Sequence, residues 1–84
     1  MNIINNSQAA FSTDSFQLAS YLLAESVPLL SVDRTNPKRV IFLFEESKQR
    51  KLLNQKFLAH KANVEPHKFF SAQKDLKQII YQNK

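Results

Sequence analysis

The sequence predicts an α+β domain ordered helix, β-hairpin, helix, helix, with a two- or three-stranded antiparallel sheet covered by helices. Three observations carry that reading. The segments FSTDSFQLASYLLAES and HKFFSAQKDLKQII place apolar residues at the helical period. Two β-branched and aromatic runs, PLLSVD and KRVIFLFEE, flank the turn residues of DRTNP. Between hairpin and last helix, EESKQRKLLNQKFLAHKA starts acidic and ends basic, the order that complements a helix dipole.

Residues 1–10 are polar, apart from Ile3 and Ile4, and read as a flexible N-terminal arm. Residues 11–82 then form a single globular domain. Its first helix has Ser12, Thr13 and Asp14 as capping candidates, and Ser15, Leu18, Ala19, Leu22 and Leu23 keep the i, i+3, i+4 rhythm, with Phe11 one turn upstream. Pro28 stops this helix, because it lacks a donor and holds Val27 away from the α region. With no glycine, the hairpin calls for a loop built on a type I turn rather than a two-residue primed turn. The second helix is expected from about Ser47 to Lys61, with Leu52, Leu53, Phe57 and Leu58 as its apolar stripe. ANVE offers a short extended pairing around Val64, and Pro66 suits the first position of the third helix. There Phe69, Ala72, Gln73, Leu76, Ile79 and Ile80 face inward, and Lys68, Lys74, Lys77 and Tyr81 lie off the stripe.

Composition bounds the function. At 84 residues the chain supports one modest core and no deep enclosed cavity. It has no cysteine, which removes disulfides and thiolate metal sites and fits a reducing cytoplasm. The longest apolar run, Val40 to Phe44, is far short of a membrane span, and MNIINNSQ lacks the form of a signal peptide. A soluble, cytoplasmic protein is expected. The absence of glycine also argues against phosphate-cradling loops and dinucleotide fingerprints, so no cofactor and no small-molecule substrate is expected.

Charge is uneven along the chain. Residues 1–33 carry Asp14, Glu25 and Asp33 against no basic residue, a charge of −3. Residues 34–84 carry all 12 basic residues against Glu45, Glu46, Glu65 and Asp75, a charge of +8. Such an imbalance marks a surface for nucleic acid or an acidic partner, held non-specifically through counterion release. The candidate contacts are Arg34, Lys38 and Arg39 at the hairpin tip, Lys48, Arg50, Lys51 and Lys56 on the second helix, and Lys74 and Lys77 on the third.

The strand KRVIFLFEE resembles the base-stacking strand of RNA-recognition domains only in part. Alternation puts Val40, Phe42 and Phe44 on one face, the natural core side, and Arg39, Ile41, Leu43 and Glu45 on the other. The phenylalanines are therefore core residues, and the motif's glycine is missing. A ribbon-helix-helix repressor is disfavoured because Ile41 and Leu43 would replace the polar groups that read bases. A winged helix is disfavoured because the hairpin precedes the second helix. What Ile41 and Leu43 do need is cover, which makes them candidate self-association residues in a homodimer.

No catalytic constellation is legible, and an enzyme is not expected. His60 and His67 are separated by Pro66 and lack the further ligands that a zinc site needs, so no metal is expected. The carboxylates are scattered, and no serine has an adjacent base.

The segments FSTDSFQLASYLL, PLLSVDR, KRVIFLFEES and KFLAHKANVEPHKFFSAQKDLKQIIY together resemble a small uncharacterised bacterial family, one of the domains of unknown function. The likeness runs from Phe11 to Tyr81. It rests on Phe11, Ser12, Thr13 and Asp14 at the helix start, on the strand Lys38 to Glu45, and on Leu76 and Lys77 in the closing helix. In this chain the aspartate directly follows the threonine, where an intervening residue is common. The resemblance implies no activity, ligand or site residue.

Overall fold

A computed structural model describes residues 10–82, so the expected arm, apart from Ala10, lies outside the described residues. The chain runs β1 (Ala10–Thr13), α1 (Phe16–Ala24), β2 (Leu29–Asp33), β3 (Ile41–Glu45), α2 (Lys48–Leu58) and α3 (Pro66–Gln82). The strands form one antiparallel sheet in the order β1-β3-β2. The fold is thus α+β, with three strands and three helices.

The third strand corrects the expected start of the first helix. Ala10 to Thr13 do not cap or enter a helix; they pair along β3, with Phe11 opposite Phe44 and Thr13 opposite Phe42. Pairing satisfies the edge of β3 that the hairpin leaves open, and alternation turns Phe11 and Thr13 toward the core side. The helix begins later. Ser15 is its N-cap, accepting from the Leu18 N–H at 3.0 Å, while Thr13 Oγ1 accepts from the Ser15 N–H at 3.1 Å. The pairing expected around Val64 is not made; Val64 sits half-buried in a linker and packs on the core.

Phe42 and Phe44 are buried on the face that α1 covers, joined there by Leu18, Leu22, Val27 and Leu76. Each buried ring contributes roughly 1.5–3 kcal/mol relative to exposure. Leu29 lies opposite Phe44, and Leu30 bulges out of register before Ser31 pairs with Leu43. The α2 stripe is narrower than expected. Leu53 is buried and Phe57 half-buried against Tyr21, whereas Leu52 and Leu58 are exposed. On α3, Ala72 and Leu76 are buried, and Phe69, Gln73, Ile79 and Ile80 flank them as the period requires.

Helix ends are closed without glycine. Ser26 after α1 and His60 after α2 take the left-handed conformation, at φ of 70° and 60°. Each allows a Schellman pair of bonds: Val27 N–H to Leu22 O and Ser26 N–H to Leu23 O, then Lys61 N–H to Lys56 O and His60 N–H to Phe57 O. At the start of α3, Pro66 takes the first helical position and the Glu65 carboxylate accepts from the Lys68 N–H at 3.0 Å.

Candidate nucleic-acid interface

The three arginines all have partners within the chain, two of them inside the fold and one on its surface. Arg50 is buried: Nε and Nη2 donate to the two Glu46 carboxylate oxygens at 2.7 and 2.6 Å, and the guanidinium lies 3.9 Å from the Phe11 ring centroid. A planar cation held by a bidentate carboxylate on one edge and an aromatic face on another ties α2 to β1. Arg50 therefore leaves the set of expected contacts, and its charge holds the Glu46 carboxyl below its ordinary value through their hydrogen bonds. Arg34 is half-buried and donates through Nη1 to the carbonyls of Ile79 and Ile80, at 2.9 and 3.4 Å. It neutralises the negative end of α3, where carbonyls lack helical partners. It too is a structural cation rather than an outward one. Arg39 pairs with Asp14 at 2.8 Å on the surface, and this hydrogen bond and charge lower the Asp14 pKa.

The lysines behave differently. Lys38, Lys48, Lys51, Lys56, Lys74 and Lys77 are all exposed, and among the described residues none lies in an ion pair. They fall into two groups. Lys48, Lys51 and Lys56 point outward from α2, whose inner residues Arg50 and Phe57 contact Phe11 of β1 and Tyr21 of α1. Lys74 and Lys77 belong to α3, whose last turn is fastened by Arg34 to the β2–β3 loop that carries Lys38. Because β1 and β2 occupy opposite edges of the sheet, the groups sit on opposite flanks, with α1 between them.

The second flank has more shape. The loop folds on its own polar side chains: the Asp33 carboxylate accepts from the Thr35 N–H at 3.0 Å and its hydroxyl at 2.7 Å, and Asn36 Oδ1 accepts from the Lys38 N–H at 2.9 Å. Those Thr35 bonds keep the Asp33 pKa below its ordinary value. Between this loop and the end of α3 lies an open groove of about 660 Å³, with Val32, Val40 and Ile80 below, Asn36 and Pro37 at the rim, and Tyr81 as one wall. Lys77 lies one turn before Tyr81, with Nζ 5.9 Å from the Phe16 ring centroid. Arg34 thus ties the hairpin tip to the end of α3, the helix that carries Lys74 and Lys77. The α2 cluster stands apart.

A family model for "Domain of unknown function (DUF5659)" matches residues 8–82. The chain belongs to this family. The matched span takes in every strand and helix of the DUF5659 fold, including the unexpected β1. No curated protein and no solved structure matches the chain.

The opposite face of the sheet of this DUF5659 domain carries Ile41 and Leu43, half-buried and outside the core cluster, beside Ser12 and Ser31 on the neighbouring strands. No helix lies on it among the described residues: Leu22 of α1, Leu53 of α2 and Leu76 of α3 all join the core cluster around Phe42 and Phe44, whose rings point the other way. Both edges of β3 are filled, so a ribbon built by pairing two copies of this strand is not available. His60 closes α2 and His67 begins α3, its Nδ1 3.0 Å from Glu65 Oε2. Among the described residues no three or more His, Cys, Asp or Glu side chains cluster as metal ligands would, and no helix is long and apolar enough to cross a membrane.

Sequence reasoning missed Phe70, which is exposed on the same side of α3 as Lys74, Lys77 and Tyr81. The signal was present in the spacing: residues 70, 74, 77 and 81 follow the helical period just as the buried stripe does.

Proposed function

We propose that this domain is a non-enzymatic binding module that holds nucleic acid by its phosphates, through Lys38 of the β2–β3 loop and Lys74 and Lys77 of α3. One observation supports this above the others. Arg34 and Arg50 are used to hold the fold and Arg39 is taken up in a surface pair with Asp14, while the lysines stand exposed and unpaired among the described residues. Lysine contributes a mobile point charge and little base discrimination, which suits backbone contact. Three contacts imply that log K falls with log salt at a slope of about −2 for a single strand. A shift assay over a salt series measures it. Absence of binding at low salt, or binding indifferent to salt, refutes the proposal.

The sheet face on which no helix lies among the described residues, with half-buried Ile41 and Leu43, favours a second reading, self-association through these two residues and the exposed Leu30. Sedimentation of the wild-type chain and of Leu43→Lys separates the two. A dimer that Leu43→Lys dissociates supports it, and a strict monomer at every concentration rules it out.

A further inference from the structure

We infer that the outer face of α3, with the groove beneath the β2–β3 loop, takes single-stranded nucleic acid, bases stacking on Tyr81 and Phe70 and phosphates meeting Lys74 and Lys77. This rests on the phosphate-binding reading and adds the class of ligand. Phe70, Lys74, Lys77 and Tyr81 are spaced four, three and four apart, so they form one line on the helix. The line is on the side away from Ala72 and Leu76, which are buried. Both rings are 62% exposed. At 1.5 Å per residue the line is about 16 Å long, with the two cations between the two rings.

Isolated exposed apolar residues are ordinary on protein surfaces. This line is distinguished by alternation: rings at its ends, ammonium groups at its centre, and no carboxylate within it. Charge complementarity selects a polyanion as the occupant, and the rings select its form. A duplex encloses its base faces, whereas an unpaired strand offers a π-face at every base and stacks on aromatic side chains without sequence preference. The groove beside Tyr81 agrees with this. At about 660 Å³ it has room for a base and its sugar, and its apolar floor of Val32, Val40 and Ile80 suits a ring rather than a phosphate. Of the two charged groups that line the groove, Asp33 is held by Thr35 and the Arg34 guanidinium by the Ile79 and Ile80 carbonyls, which leaves Lys74 and Lys77 on the helix face to meet phosphates.

Tyrosine emission reads the stacking directly. The chain has no tryptophan, and of its two tyrosines Tyr21 is buried while Tyr81 is exposed. The full chain is titrated at low salt with an oligothymidylate of about ten nucleotides, and with a duplex of equal charge. Saturable quenching by the single strand is expected, with weaker binding to the duplex. Tyr81→Ala and Phe70→Ala should each weaken single-strand binding roughly 5- to 100-fold, the range of one lost base stack. Tyr81→Phe should keep the affinity and lose the quench, and Lys48→Ala with Lys51→Ala on the other flank should change binding less than Lys74→Ala with Lys77→Ala. Circular dichroism confirms that each variant is folded. Salt-sensitive binding that treats duplex and single strand alike, unchanged by Tyr81→Ala and Phe70→Ala, overturns this inference and leaves the phosphate-binding reading standing. No binding of either nucleic acid at low salt overturns both.

Discussion

Replacing Arg50 by methionine tests whether that charge belongs to the fold or to the surface. Methionine keeps an unbranched stem for packing and removes the guanidinium, so the change isolates the two bonds to Glu46 and the stack on Phe11. Breaking a fully buried ion pair costs about 3–5 kcal/mol because one charge is stranded. Here the Glu46 side chain is 30% exposed and water can reach it, which lowers the penalty. Loss of the ring contact adds back about 0.5–2 kcal/mol. A net loss of about 2–4 kcal/mol follows, a large part of the roughly 4–11 kcal/mol expected for a domain of this size. Urea unfolding followed by far-ultraviolet circular dichroism gives the number. Arg50→Lys should recover little of it, because an ammonium cannot make the bidentate pair. A loss below about 0.5 kcal/mol would show a solvated guanidinium and return Arg50 to the contact surface.

Glu46 also sets an acid limit. Its folded pKa is depressed by Arg50, so its stabilisation is complete above the ordinary value of 4.5 and is lost as the pH falls through the lower folded value. Glu46→Gln should lessen the drop in urea midpoint on acidification, and equal drops in both proteins would contradict this. Ser26→Gly should stabilise the domain, since relieving a left-handed residue is worth about 1–2 kcal/mol and the freer unfolded chain returns about 0.4–1 kcal/mol of it. A lower thermal midpoint would refute that reasoning. Ser47→Ala removes the α2 cap that accepts from the Arg50 N–H and should cost about 1 kcal/mol, while Ser12→Ala, at a position first expected to cap α1, should cost less than Ser15→Ala, as denaturant titration can rank.

Much of the fold was legible where the signal is local. Pro28 and Pro66 mark a stop and a start through backbone chemistry alone, and the α3 stripe repeats often enough to overrule noise. β1 was not legible, because four residues carry little period and its partner lies some thirty residues away. The run STDS holds four competent caps, and only the pull of Phe11 and Thr13 into the sheet selects Ser15. Similarly, KQRK presents three cations of equal appearance. The i, i+4 relation of Glu46 to Arg50 hinted at a pair, but the Phe11 stack that buries the arginine is a long-range contact. Arg34 reaches α3 across 45 residues, a distance no local pattern spans. The strand KRVIFLFEE divided as alternation required, its rings inward and Ile41 and Leu43 outward.

The most direct test of the phosphate-binding account is amide chemical-shift mapping of the labelled domain with an oligothymidylate at low salt. The account predicts that shifts concentrate at Lys38, Phe70, Lys74, Lys77 and Tyr81 and fade as salt is added. Shifts centred on Ile41 and Leu43, or no shifts at all, would contradict it.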